Sequence, residues 1–331
     1  MPMATYAPRP ALELRARAVR VKRIAMPLGI AALLVASVLL RTRELGAGFW
    51  IDEGLSVGIS DRPLGDIPGV LRQDGSPPLY YLLLHFWIAL FGRSEESVHA
   101  LSLLFAVLCV PVAFWAGRVL FGERAAWTAA VLAAVNPFLT QYAQEGRMYT
   151  LVALLGLVST TCWLLAFTRP AEAVRRGPAI GFACAFAAML YTHNWALFFG
   201  AATGIVWLWL LWRAGAAERR RLFQTGLWAY GGVLLLYLPW IPNTLYQATH
   251  TGAPWSNAPT LEALASVPAR ILGEVAEVAV FLAAGAGLVA LHKAGGPRAR
   301  AVVALGAIAL LTFALASVPV AAPKKIAQLW V

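Results

Sequence analysis

The sequence predicts an all-α, polytopic helical membrane protein of about nine spans, and three observations lead there. The 331-residue chain is 60% hydrophobic and only 13% charged, whereas soluble domains carry about 25% charged residues. Apolar runs of the roughly 17–25 residues needed to cross a bilayer recur along nearly its whole length. The net charge of +11 would suit a nucleic-acid surface, but the basic residues sit in short connectors between apolar runs, as topology signals do.

In chain order, the basic leader 1–23 is expected to be a cytoplasmic N-terminal segment. Arg9, Arg15, Arg17, Arg20, Lys22 and Arg23 precede the first apolar stretch. No small-x-small cleavage site follows that stretch, so it reads as an uncleaved span. The spans are expected at roughly 24–40, 98–117, 125–142, 150–167, 178–194, 195–212, 222–241, 271–291 and 301–322. Together they make one integral membrane domain, 24–322, followed by a short tail, 323–331. The apolar run Leu79–Phe91 is too short to cross. Thirteen residues of helix cover about 20 Å against a hydrocarbon core of roughly 30 Å.

Loop charge supports that choice. With Leu79–Phe91 lying in the interface, the cytoplasmic connectors hold 18 of the 27 Lys and Arg residues. Were it to cross, four of those connectors would move outside, against the positive-inside bias. The same bias makes 178–212 cross twice, with a tight outer turn at Tyr191-Thr192-His193-Asn194. A long first outer loop, 41–97, then carries interfacial helices. It shares the outer face with 141–149, the His193 turn and 241–270. The cysteines Cys109, Cys162 and Cys184 fall within apolar runs and read as packing residues.

Chemistry-bearing residues collect on that face. Asp52 and Glu53 follow the first span, between Gly48-Phe49-Trp50-Ile51 and Gly54. Such a pair commonly just marks a helix end; a carboxylate half-buried by Phe49 and Trp50 would instead suit a general base. The stretch 61–78 suits a short surface helix and a rigid turn, with Asp74 closing it. Glu145, Arg147 and Tyr149 lie where the third span has ended, and arginine is a fixed, planar donor for phosphate oxygens. His193 alone carries little weight. Trp240, Tyr246 and Trp255 read most simply as an interfacial aromatic belt.

Taken in this order, these residues resemble the glycosyltransferase C superfamily, most closely the family 39 type of protein O-mannosyltransferases and aminoarabinose transferases. The match rests on Trp50-Ile51-Asp52-Glu53, on Asp74-Gly75-Ser76-Pro77-Pro78-Leu79-Tyr80-Tyr81 and on Gln144-Glu145-Gly146-Arg147-Met148-Tyr149. Tyr191-Thr192-His193 and Leu238-Pro239-Trp240-Ile241-Pro242 extend it over roughly 24–322. The resemblance implies a polyprenyl-phosphate-linked sugar donor and a lipid, glycan or protein acceptor. It implies a multi-pass plasma-membrane enzyme with a cytoplasmic N-terminus and an outer active site, and no nucleic-acid partner. Asp52, with Glu53 beside it, would act as base or orient the acceptor. Glu145, Arg147, Tyr149 and His193 would contact donor phosphate or acceptor. Members of the family usually continue further, so the resemblance implies a C-terminally truncated member, with Lys324 or Lys325 in place of a basic residue that follows a proline.

The reaction expected from these residues is a single displacement at the anomeric carbon. The phosphate leaving group would be neutralised by Arg147, His193 or a divalent metal (Mg or Mn, held by Asp52 and Glu145). Two other readings compete: a lipid or lipid-linked-sugar flippase, and an inactive membrane scaffold. A flippase needs ionisable groups deep within spans; only Glu274 and Glu277 fall inside an apolar run, towards its outer end.

Overall fold

The computed structural model describes residues 9–170, 173–251 and 260–317, and every regular element among them is helical. The first helix, α1 (Arg9–Leu40), runs through the basic leader into an apolar half, Ala25–Leu40. The segment 41–97 then folds into three short helices: α2 (Ile51–Ser60), α3 (Ile67–Asp74) and α4 (Leu79–Phe91). The bundle follows with α5 (Glu95–Leu120), α6 (Glu123–Val135), α7 (Pro137–Tyr142), α8 (Tyr149–Phe167), α9 (Arg176–Leu190), α10 (Ala196–Arg213) and α11 (Ala216–Tyr237). After a 3-10 turn come α12 (Ile241–His250), α13 (Leu261–Ala265), α14 (Val267–Leu272), α15 (Glu274–Ala294) and α16 (Gly296–Ser317).

Four helices, α5, α8, α10 and α16, are individually long and apolar enough to cross a membrane. The apolar parts of α1 and α9 are shorter. On α11, Glu218 to Arg221 occupy the first turns and leave a shorter apolar stretch. The expected span 125–142 is two helices, because Asn136 caps α7 and Pro137 begins it. Pro lacks an N–H and clashes with the preceding turn, so α6 cannot run through it. A helix lies at the expected Leu79–Phe91, started after Pro77-Pro78 and stopped at Gly92.

The core sits among α5, α8, α9 and α11, with α6 packed on α5 and α16 on α10. Trp163 is fully buried there, its indole N–H donating to the Tyr230 hydroxyl at 2.9 Å, so the one polar atom of that large ring is satisfied. Much of the remaining apolar surface points outward, including Trp212, Leu227, Leu234 and Leu235. Water would make that arrangement costly, whereas a hydrocarbon surround makes it neutral. All three cysteines are free thiols: Cys109 and Cys162 are buried, while Cys184 is exposed on α9.

Trp240 departs from the expected aromatic belt. It is 5% exposed and packs near Tyr191, because the chain turns through the 3-10 segment and carries its ring inward. Tyr246 lies on α12, stacked on His250 and covered by the Arg72 guanidinium 4.1 Å from its ring centre. Trp255 lies outside the described residues.

Candidate active site

Asp52 and Glu53 are neighbours on α2, and successive helical residues point about 100° apart. One therefore turns outward and the other into the protein. Glu53 is the inward one, 2% exposed. At the third position of α2 it reaches back to accept from the Trp50 N–H at 3.0 Å, one half of a capping box. Its other oxygen accepts from the Gly146 N–H at 2.6 Å and meets His99 Nε2 at 3.0 Å.

His99 Nδ1 faces the Leu45 carbonyl at 2.7 Å. Both ring nitrogens thus meet oxygens, one of them a carboxylate oxygen of Glu53, and the ring is 1% exposed. This buried cluster ties the first outer loop to α5 and to the loop after α7. Gly146 is required at the junction. A Cβ there would sit 2.7 Å from the Val98 side chain, so any larger residue would push the loop off Glu53.

Asp52 is the outward one, with its side chain 40% exposed. Its carboxylate lies 3.8 Å from the Arg147 guanidinium, a charge contact longer than a hydrogen bond. Arg147, only 13% exposed, is aimed by other groups: its Nη1 donates to Ser56 Oγ at 3.0 Å and to the Asp52 carbonyl at 3.3 Å. The Ser102 hydroxyl donates to the Arg147 carbonyl at 3.0 Å and fixes the backbone behind it. Arg147 Nε is buried and has no partner among the described residues. Tyr81, rising from α4 and 1% exposed, places its hydroxyl among Ser56, Ser76 and Arg147.

Glu145 precedes this pair. Burial raises its pKa above the usual carboxylate value and the Glu53 charge adds to the rise, with Gln141 and Arg147 opposing it. Tyr149 opens α8 beneath the Arg147 guanidinium, 6.0 Å from its ring centre, and the His193 ring lies 6.2 Å beyond. His193 Nδ1 accepts from the Trp195 N–H at 3.1 Å, so the neutral ring carries its hydrogen on Nε2. The turn itself is pinned from two sides. Asn194 donates to the Gly75 carbonyl at 2.8 Å, and the Tyr191 carbonyl accepts from the Leu79 N–H at 2.8 Å. Gly75 ends α3 in the left-handed region at φ 99°, the conformation that the turn towards Asn194 demands.

Burial pushes the His193 pKa down to about 4, and the Arg147 charge contributes in the same direction. The imidazole is therefore neutral at physiological pH and offers a hydrogen-bond donor rather than a charge. Between pH 6.5 and 4 the unfolded chain binds a proton at this ring that the folded chain does not, so stability is lost as pH falls through that window. Thermal unfolding midpoints in detergent at about pH 4.5 and pH 7 should differ less in His193→Gln than in the unaltered protein. An equal difference in both would place the ring in water.

The structure thus brings Asp52, Glu53, Glu145, Arg147, Tyr149 and His193 to one end of the bundle. Lys324 lies outside the described residues. Among those described, no group of three or more His, Cys, Asp or Glu could hold a metal ion, and the Asp52 carboxylate faces Arg147. Sequence reading missed His99, Ser56 and Tyr81 as site residues. A polar ring at the start of the otherwise apolar run 98–117 was the available signal for His99.

Fold and site together define a multi-pass membrane protein of the glycosyltransferase C type. The sequence model of the dolichyl-phosphate-mannose-protein mannosyltransferase family matches residues 75–246, just over half of the chain, and the protein belongs to that family. The fold is similar to the crystal structure of ArnT from Cupriavidus metallidurans bound to undecaprenyl phosphate, with TM-score 0.56 and 17% identity over 88% of this chain and 60% of that one. It is also similar to the apo structure of the same protein, with TM-score 0.61 and 17% identity over 93% of this chain and 58% of that one. The chain thus spans about three fifths of the length of ArnT. No curated protein matches it in sequence.

Proposed function

We propose that the protein transfers a sugar from a polyprenyl-phosphate carrier to an acceptor hydroxyl at the outer face of the plasma membrane, with Asp52 as the base. The observation that carries this reading is an open carboxylate beside a fixed cation. Asp52 is accessible, and Arg147 is held 3.8 Å away by Ser56 and the Asp52 carbonyl. Family membership and the undecaprenyl phosphate bound to ArnT support the class of donor.

In the proposed step Asp52 takes the proton from the acceptor hydroxyl as that oxygen bonds to the anomeric carbon. The bond from that carbon to the phosphate oxygen breaks, and polyprenyl phosphate leaves with one more negative charge than it carried in the donor. Arg147 meets that charge with its guanidinium, and electrostatic stabilisation of this kind is commonly the largest catalytic contribution. Neutral His193 adds a donated hydrogen bond from Nε2. Glu53, fully engaged by Trp50, Gly146 and His99, holds the two loops together rather than reacting.

The carrier's tail has a place next to this site. A cavity of about 390 Å3, lined by Pro78, Leu79, Leu82, Ala188, Tyr191 and Leu236, is almost wholly apolar. It adjoins the Leu79–Tyr191 backbone bond that pins the His193 turn, and we assign it to the prenyl chain.

The test is incorporation of label into acceptor from a panel of polyprenyl-phosphate sugars, with the protein in proteoliposomes. Transfer from at least one donor is expected; sugar that crosses the bilayer still bonded to its carrier would indicate a flippase instead. Arg147→Lys keeps the charge but loses the planar fork, and is expected to lower kcat/KM by about 10²-fold. A rate within twofold of the unaltered protein would remove Arg147 from the phosphate.

A further inference from the structure

The opposite end of the bundle holds a larger cavity, of about 570 Å3. Helix α5 alone separates the two ends by roughly 39 Å, at 1.5 Å per residue. Arg118 and Leu120 line the cavity from the end of α5, Arg169 from beyond α8, and Leu291, Arg298 and Ala301 from around the α15–α16 join. Three arginines, Arg118, Arg169 and Arg298, line this space and no carboxylate does.

Little inside the protein offsets their charge. Arg169 Nη2 donates to the Val119 and Leu120 carbonyls that the end of α5 leaves unpaired. Among the described residues Arg118 reaches the Met26 thioether, at 3.7 Å, a weak acceptor. Among the described residues, none of the three meets a carboxylate. The nearby Glu218 is already taken up by Arg300 at 3.0 Å and Arg221 at 3.8 Å. Arg221 is itself 6% exposed, leaves Nη1 unpartnered, and has Arg175 and Arg300 as like charges around it. Helix α16 begins at the cavity rim, so its unpaired N–H groups add positive potential.

We propose that this cavity binds the phosphate headgroup of an anionic phospholipid from the leaflet opposite the Asp52–Arg147 site. The choice of a lipid follows from the walls. Val119, Leu120, Leu291 and Ala301 are apolar and continue into helices whose outer faces are exposed, while the arginines stand at the helix ends, where headgroups lie. A topology signal alone would account for basic residues in these connectors, but it needs only their number. It gives no reason for three of them to line one half-enclosed space, and this difference can be measured.

The full chain would be placed in nanodiscs of phosphatidylcholine with increasing phosphatidylglycerol. Retained lipid would be counted by native mass spectrometry and the thermal midpoint followed. One phosphatidylglycerol per chain is expected, with a rise in the midpoint. The double variant Arg118→Gln, Arg298→Gln should weaken retention at least tenfold, and both residues are exposed enough to be replaced without unfolding. Arg298→Gln alone should give an intermediate loss. The control Arg124→Gln, Arg220→Gln removes equal charge from exposed positions at the same end, outside the cavity, and should behave like the unaltered protein. Equal weakening in both double variants, or in neither, would overturn the proposal. So would a full rise in the midpoint from inorganic phosphate in pure phosphatidylcholine, which would make the ligand soluble.

Discussion

Asp52→Asn is expected to lower sugar transfer by about 10²- to 10⁴-fold, the usual contribution of a general base, and to leave the fold intact. The second half of that expectation comes from exposure. Asp52 is 40% exposed and its side chain makes one contact, 3.8 Å to Arg147. The contact is long and open on the Asp52 side, and Arg147, itself 13% exposed, keeps its bonds to Ser56 and the Asp52 carbonyl. The loss should therefore be about 1 kcal/mol and the thermal midpoint should move little. The asparagine keeps the shape and a weak acceptor but cannot hold the proton. Steady-state transfer and a melting curve on the same preparation check both halves, and retained activity would exclude Asp52 as the base.

Glu53→Gln should show the reverse pattern in its cause: loss of the fold first, and of activity only as a consequence. The carboxylate accepts from two backbone N–H groups and pairs with the His99 ring, all buried. A carboxamide puts an NH2 against one of those donors and leaves a buried polar group without its acceptor. An unsatisfied buried group of this kind costs about 1–3 kcal/mol. Replacing the ring as well, in Glu53→Gln with His99→Gln, should recover part of that loss, with a coupling of about 0.5–3 kcal/mol between the sites. A Glu53→Gln protein that melts normally yet transfers no sugar would shift the catalytic role to Glu53. Two adjacent acids are thus separable by measurement, one by rate and the other by stability.

That separation was not legible in the sequence. Asp52-Glu53 was visible as an acidic pair after the first span, but which of the two faces inward depends on the start of α2, and the segment reads only as loop. Trp50 as cap and Glu53 reaching back to it fix the start, and neither is a strong signal alone. The approach of Gly146 to Glu53 was equally hidden, because it joins residues 93 positions apart. The all-helical, membrane-type architecture was readable because length and apolarity are local properties. Leu79–Phe91 stands between a proline pair and a glycine, and the structure gives it the same bounds. The break at Asn136-Pro137 was readable in principle as a turn signal, yet the apolar residues on both sides concealed it. Trp240 was misplaced for a related reason: an indole next to prolines suits an interface or a core, and only the path of the chain decides.

The convergence of Asp52, Arg147 and His193 at one end of the bundle is the centre of the account, and the proposed function seats carrier phosphate and acceptor there. Counting polyprenyl phosphate released against glycosidic bonds formed, in proteoliposomes holding the purified chain, probes that directly. The account predicts one carrier phosphate freed for each bond made, and neither product above background for the Asp52→Asn variant. Carrier release without a new bond, or turnover by that variant equal to the unaltered protein's, would contradict it.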